Sequence, residues 1–459
     1  MLVTPADAVH RKVKRSLALE HAHTLHSLLR RAPADRETLR RFQVRKLRVL
    51  IAHCRSSVAV YREHWRGSTL ETSGIASPED LASLPTIGKS ELRACPTAET
   101  LAHGAVVRRL VHHETSGSTG EPFTIFRSQR EEHLLGFFRM RAWRELGVRV
   151  SDRTAALREL PDGGGRRGGW PGRIRQTLGI YRQEELDPYG PANVALERLS
   201  LLQPDVVCGY PSALSHVAAR MQERDRRNVR PRLVLAGGEL LSAAARRTIE
   251  DAFAAPLFDV YGAHEFNLLA WQCPQSGNYH VCDDSVLVEI VDDDGRPVQP
   301  GDTGEIVATA LHSYTMPFVR YRTGDLAVRG PTQCPCGQAF STLRVIEGRT
   351  IHYLRLPGGR RVHPFTITSP LSAREAGWMR QHQIVQTSEE RVQLNILPVR
   401  APEREELEWL QALGEGILGR DVRFEVALVD GFAKHPSGKF HPYVSLFEDP
   451  ARSDVGVSA

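Results

Sequence analysis

Glu114-Thr-Ser-Gly-Ser-Thr-Gly-Glu-Pro122 is the stretch on which the reading of this chain turns. Gly117 and Gly120 can take positive φ without a Cβ penalty, which lets successive N–H groups of the loop point into one concavity. The hydroxyls of Thr115, Ser116, Ser118 and Thr119 add short donors of the kind that phosphate oxygens accept. A P-loop would need Gly-Lys-Ser/Thr after four intervening residues, and Gly120-Glu-Pro122 stands there instead, so that reading fails. Taken alone, the segment is no more than a Gly/Ser surface turn. Immediately around it, residues 106–110 and 123–126 read as strands and 131–146 as a helix.

Further out, residues 6–56 have helical periodicity, with Pro33 breaking the run into two helices. Residues 205–208 and 233–235 are short apolar runs between helical segments, the pattern of buried parallel strands. Residues 286–291 and 304–309 read as antiparallel strands flanking the turn-rich Asp292-Asp-Asp-Gly295. Residues 161–172 carry too much glycine for a regular element and are expected to form a loop. Beyond Arg349 a strand at 391–396, a helix at 403–418 and a strand near 422–426 make a smaller α+β unit. The expected fold class is α/β, with a large N-terminal α/β domain (residues 1–349) that includes an added β region. A small C-terminal α+β domain (residues 350–459) completes it.

Five further motifs follow the loop in a fixed order: Arg232-Leu-Val-Leu-Ala-Gly-Gly-Glu239, Asp259-Val-Tyr-Gly-Ala-His-Glu265, Tyr321-Arg-Thr-Gly-Asp325, Glu347-Gly-Arg349 and Pro436-Ser-Gly-Lys439. The succession resembles the adenylate-forming, AMP-forming ligases. In wording it is nearest to the phenylacetate–coenzyme A ligase branch and its capsule-biosynthesis relatives, over about residues 50 to 445. The resemblance implies ATP-dependent activation of a carboxylic acid, aryl by analogy with that branch, as an acyl-adenylate that is then passed to coenzyme A. An amine or a carrier protein is the alternative acceptor. A catalytically inactive nucleotide-binding protein that has kept the fold is the reading from another class.

Such chemistry brings a carboxylate against the α-phosphorus of ATP, so two anions must meet among backbone donors, a metal and a cation. By the resemblance, Thr115, Ser116, Gly117, Ser118, Thr119 and Gly120 hold the β- and γ-phosphates, and Glu265 binds Mg²⁺. Gly237, Gly238 and Glu239 wrap the adenine, with Asp259, Tyr261 and Gly262 beside them and Tyr261 stacked on its face. Asp325 and Arg349 take the ribose or phosphate. Lys439 is the cation carried by a mobile C-terminal domain, with Lys434 as its fallback. Tyr210, Pro211 and Ser212 line the acid pocket. His264 stands where a small residue or hydroxyl is usual and is a candidate contact for the acid. The hinge departs from the family pattern: Thr350-Ile-His352 follows Arg349 without the usual acidic residues.

A second constellation is Cys273, His280, Cys334 and Cys336, with Cys282 as a substitute. Four soft donors in two pairs suit tetrahedral Zn²⁺ in a structural role, although the one-residue spacing of Cys334 and Cys336 is tighter than usual. Buried free thiols are the plainer alternative.

Composition is that of an ordinary globular protein, with 41% hydrophobic and 25% charged residues among 459. The formal net charge of +6 comes from arginines interleaved with acids, as in Glu403-Arg-Glu-Glu406. That pattern describes solvated helix faces and not a nucleic-acid groove. No segment has the length and apolarity of a membrane span or a secretory signal, and the seven cysteines are an odd number. The cytoplasm is the default compartment, and a homodimer is a compatible assembly.

Overall fold

The computed structural model describes residues 35–115, 123–158, 182–188, 190–349, 354–362, 364, 367, 370–371, 378–432 and 443–446. The expected first N-terminal helix, the loop core Ser116–Gly120, the glycine-rich run 161–172, the hinge residues 350–352, Lys434 and Lys439 lie outside them. The chain divides into two compact units, one drawn from residues 1–150 and 258–349, the other from residues 151–257 and 350–459.

The first unit opens with α1 (Arg36–Ser57), where Asp35 caps the helix by accepting the Thr38 N–H at 2.7 Å. Its apolar stripe buries Leu47, Leu50 and Ile51 completely. Strands β1 (Val111–Thr115) and β2 (Phe123–Arg127) pair antiparallel, with Thr115 opposite Phe123. The strand begins later than the expected 106–110. That stretch holds a short 3₁₀ turn, Val107–Arg109, and its valines Val106 and Val107 are exposed. Helix α2 (Gln129–Glu145) follows, started by a Ser128–Glu131 capping box. The buried Glu131 carboxylate also accepts the backbone N–H groups of Tyr314 (2.6 Å) and Thr315 (2.8 Å), which fixes the helix start against a distant segment.

The chain then enters the second unit. Strands β3 (Arg153–Leu157), β4 (Arg182–Leu186), β5 (Val206–Gly209) and β6 (Leu233–Gly237) are parallel, in the order β6-β5-β3-β4. Helix α3 (Ala192–Leu202) lies between β4 and β5, α4 (Pro211–Ala218) between β5 and β6, and α5 (Ala243–Phe253) follows β6. Their inward faces share one core that includes Leu157, Leu199, Val207, Leu214, Val234 and Phe253. The short apolar runs are buried parallel strands, as their composition implies.

Back in the first unit come β7 (Leu257–Tyr261), β8 (Ala270–Gln272), β9 (Tyr279–Val281), β10 (Val286–Val291), β11 (Thr303–Ala310), β12 (Tyr321–Arg329) and β13 (Thr342–Arg349). Their order is β10-β11-β12-β13-β9-β8-β7, every pairing antiparallel. The strands expected at 286–291 and 304–309 are present and paired with each other.

The remaining residues of the second unit form a hairpin, β14 (Leu354–Leu356) with β15 (Arg360–Val362). A four-stranded sheet follows, made of β16 (Met379–Ser388), β17 (Arg391–Pro398), β18 (Arg423–Leu428) and β19 (Tyr443–Ser445) in the order β18-β17-β16-β19. Helix α6 (Arg404–Leu418) buries Leu410 and Leu418 against Leu394, Ile396 and Phe424, a core of its own. The architecture is mixed α/β with a separate α+β sheet. No helix among the described residues is long and apolar enough to cross a membrane.

Candidate active site and metal centre

In the first unit the antiparallel pairing of β1 and β2 fixes both ends of the hydroxyl-rich loop, with Thr115 the last residue of β1. The segment Asp259–Glu265 runs off the end of β7. Gly262 is required there, because a Cβ at this position would lie 2.3 Å from the Asn267 carbonyl oxygen. Beyond it, Glu265 is buried and accepts the Tyr321 hydroxyl at 2.9 Å, while the His264 side chain is exposed. Among the described residues the other Glu265 oxygen takes no hydrogen bond, which leaves a hard oxygen donor of the type Mg²⁺ prefers.

Asp325 lies in an irregularity of β12. Opposite Glu305 and Val307 the strand runs from Arg322 to Leu326, so Thr323-Gly-Asp325 bulges out of register. Gly324, at φ 75°, supplies the backbone turn. The Tyr261 hydroxyl donates to Asp325 Oδ2 at 2.6 Å. The phenol is therefore more than a flat surface: it orients the carboxylate. Burial, reinforced by the Asp325 charge, pushes the Tyr261 phenol well above its usual range, so it stays a donor. The Arg349 backbone pairs with that of Asp325 across β12 and β13. Asp259 accepts the Tyr279 hydroxyl at 2.6 Å, and its other oxygen accepts the Val260 N–H at 3.0 Å.

One network here had no sequence signature. Arg127, at the end of β2, donates to the His264 carbonyl and reaches Glu132 at 3.1 Å; Glu132 in turn meets His113 Nε2 of β1 at 3.0 Å. The rings of His113 and His264 are 6.2 Å apart. Both strands that flank the loop are thus tied to the segment carrying Glu265. Burial alone would raise the Glu132 carboxyl, but the His113 hydrogen bond and the Arg127 charge hold it down at about 2.

In the second unit, β6 ends at Gly237 and Gly238 turns the chain at φ 81°. A Cβ on Gly238 would come within 2.9 Å of the Tyr210 ring, so the Tyr210 side chain lies against this turn as well as on the core. Glu239 accepts the N–H of Ser212 at 3.0 Å, in the first turn of α4 that Pro211 begins. The negative carboxylate meets the positive end of that helix.

The candidate metal centre belongs to the first unit. The ligating atoms of Cys273, His280, Cys334 and Cys336 all lie within 4.8 Å of one another. Cys273 and His280 come from the β8–β9 hairpin, and the two other cysteines from the loop before β13. Two thiolates each about 2.3 Å from a tetrahedral ion stand about 3.8 Å apart. The sulfurs of Cys334 and Cys273 are 3.8 Å apart, and His280 Nε2 is 3.2 Å from the Cys336 sulfur. Burial lowers the His280 pKa to about 4 and keeps the imidazole neutral, the form that ligates. The donor set and spacing fit a Cys₃His site. Cys282, the substitute ligand, is engaged elsewhere, with its sulfur 3.3 Å from the Arg141 guanidinium and 3.7 Å from Asp284.

The model of the AMP-binding enzyme family matches residues 115–312. The phenylacetate-coenzyme A ligase of Pseudomonas putida is 27% identical over 300 residues, 64% of this chain and 67% of that one. The Thermus thermophilus enzyme of the same name is 27% identical over 358 residues, covering 74% and 76% of the two chains. Among solved structures, a 2-hydroxyisobutyryl-CoA ligase in its postadenylation state is similar with a TM-score of 0.70, 21% identity and 89% of each chain covered. An anthranilate CoA ligase bound to anthranoyl-AMP gives a TM-score of 0.52 at 18% identity, over 86% of this chain and 78% of that one. These two likenesses concern the fold.

Proposed function

Because the chain belongs to the AMP-binding enzyme family, as a distant homologue of the phenylacetate-coenzyme A ligases, we propose that it is an AMP-forming acid–thiol ligase. It activates a carboxylic acid, aryl in our reading, as an acyl-adenylate and transfers the acyl group to coenzyme A. The observation that carries this is the convergence of the motifs at 259–265 and 321–325. Tyr261 donates to Asp325 and Tyr321 to Glu265, so two acidic side chains far apart in sequence are held by phenols on each other's segments.

The roles follow from the chemistry of the side chains. Residues 115–120 receive the β- and γ-phosphates on backbone N–H groups and hydroxyls. Asp325 accepts the ribose hydroxyls, Arg349 donates to the ribose or phosphate oxygens, and Asp259, Tyr261, Gly262 and the turn Gly237–Glu239 are assigned to the adenine. Glu265 is the residue that would hold Mg²⁺, which when bound neutralises phosphate charge. The substrate carboxylate, placed by His264 and the Tyr210–Ser212 segment, attacks the α-phosphorus and pyrophosphate leaves. Lys439, from the domain formed by residues 350–459, supplies the cation that offsets the charge building up in that step. The coenzyme A thiolate then attacks the acyl carbon and AMP departs. We assign Zn²⁺ to Cys273, His280, Cys334 and Cys336 in a structural role.

The test is acid-dependent exchange of pyrophosphate into ATP across a panel of aryl and aliphatic acids, followed by the dependence of AMP release on coenzyme A. Exchange with at least one acid and release driven by coenzyme A are expected. Release driven by amines and not by thiols would replace the acceptor, and no exchange with any acid would end the reading.

A further inference from the structure

We propose that the Cys/His cluster sets the geometry of the nucleotide site, through Tyr279 and Gln272 acting as positioning residues for Asp259. The proposal rests on the ligase reading above, in which Asp259–Glu265 lines that site. Tyr279 precedes the ligand His280 and Gln272 precedes the ligand Cys273. The two are register partners across the β8–β9 hairpin. Successive side chains of a strand point to opposite faces, so Tyr279 and His280 project from opposite sides of the hairpin. An ion gripping one side therefore fixes the pair on the other.

Both members of that pair hold the same residue. The Tyr279 hydroxyl donates to the Asp259 carboxylate at 2.6 Å, and the Asp259 N–H donates to Gln272 Oε1 at 3.3 Å. Gln272 is anchored in turn, its amide donating to the Gly277 carbonyl at 3.1 Å within the turn that joins the two ligand-bearing strands. Asp259 is thus gripped through backbone and side chain by the hairpin that supplies half of the cluster. Two residues farther along the same strand stands Tyr261, which orients Asp325. Residues just outside a ligand shell are commonly held in register with the ligands they support; here Tyr279 and Gln272 carry that register on to Asp259.

The experiment is a four-member cycle: wild type and Tyr279→Phe, each loaded with Zn²⁺ and stripped by chelator. Zinc content is measured by atomic absorption and ATP affinity by calorimetry. An Asp259 that must be ordered by the nucleotide corresponds to roughly three- to tenfold weaker binding. We expect a loss of that size on stripping the wild type and in zinc-loaded Tyr279→Phe with its zinc retained. The combined loss should be smaller than the product of the two, since the Tyr279 bond to Asp259 is one of the contacts that stripping loosens. Wild-type ATP affinity in loaded Tyr279→Phe, fully multiplicative losses, or a wild type without zinc would overturn the proposal. If stripping unfolds the protein, the loaded Tyr279→Phe arm still decides. A zinc-loaded wild type that binds no ATP would instead refute the ligase reading and take this inference with it.

Discussion

Replacing Tyr261 with Phe removes one oxygen and leaves the ring, which isolates the role of the 2.6 Å bond to Asp325. A hydrogen bond to a charged acceptor contributes about 1.5–3 kcal/mol. Part of this falls on the free protein as lost stability. The part that falls on catalysis is the cost of ordering Asp325 when the ribose arrives, about 0.5–1.5 kcal/mol for one immobilised side chain. The KM for ATP should then rise roughly three- to tenfold, with kcat changed by less, because the phenol acts on binding and not on the α-phosphorus. Initial rates of acid-dependent AMP release at varied ATP measure both constants. The raised phenol pKa gives a second readout. A protonated form favoured by folding contributes stability below the unfolded phenol's pKa, about 10, and that contribution is lost as pH rises through the folded value. The wild type should therefore lose stability above that pH more steeply than Tyr261→Phe. An unchanged KM, or equal losses in kcat and kcat/KM, would show that Tyr261 does not position Asp325 for the nucleotide.

Three further outcomes are expected. Lys439→Ala should abolish acid activation while ATP binding persists, since its cation is needed only as charge develops; normal exchange would move the role to Lys434 or another cation. Glu132→Gln should flatten the acid limb of the stability curve. Glu132's depressed pKa makes its contribution present above the unfolded value, about 4.3, and lost as pH falls towards 2; thermal melts from pH 5 to 2.5 that superimpose on the wild type would contradict this. Cys336→Ala should lower zinc content and thermal stability without changing which acids are accepted; a shifted acid preference would argue for a direct role.

What could be read from the sequence was what is local. The apolar run 286–291, the strand-like run 304–309 and the Asp292–Gly295 turn between them specify an antiparallel pair without reference to anything distant, and the structure has that pair. The helix expected at 131–146 is present as Gln129–Glu145, and the structure starts it with a Ser128–Glu131 capping box. The strand expected at 106–110 failed because a strand is set by its partner. Val111–Thr115, and not the valines before it, lies opposite Phe123–Arg127. The acids at 259, 265 and 325 were visible, but the groups that aim them were not. In the sequence Tyr261 is only a ring to stack on the adenine and Tyr321 only the first residue of its motif, while Tyr279 and Arg127 carry no pattern at all; the hydrogen bonds of all four come from pairing across the fold. The four metal-type donors were recognised by residue chemistry. Only the packing of the hairpin against the loop before β13 brings them within reach of one another and separates them from Cys282.

The central claim is that ATP is cut between its α- and β-phosphates by a carboxylate nucleophile. Incubating the protein with ATP, Mg²⁺ and a responsive acid without coenzyme A, and resolving the products by phosphorus NMR and mass spectrometry, tests it most directly. Pyrophosphate with an acyl-AMP ester is the predicted result; ADP with inorganic phosphate, or no acid-dependent cleavage across the acid panel, would contradict it.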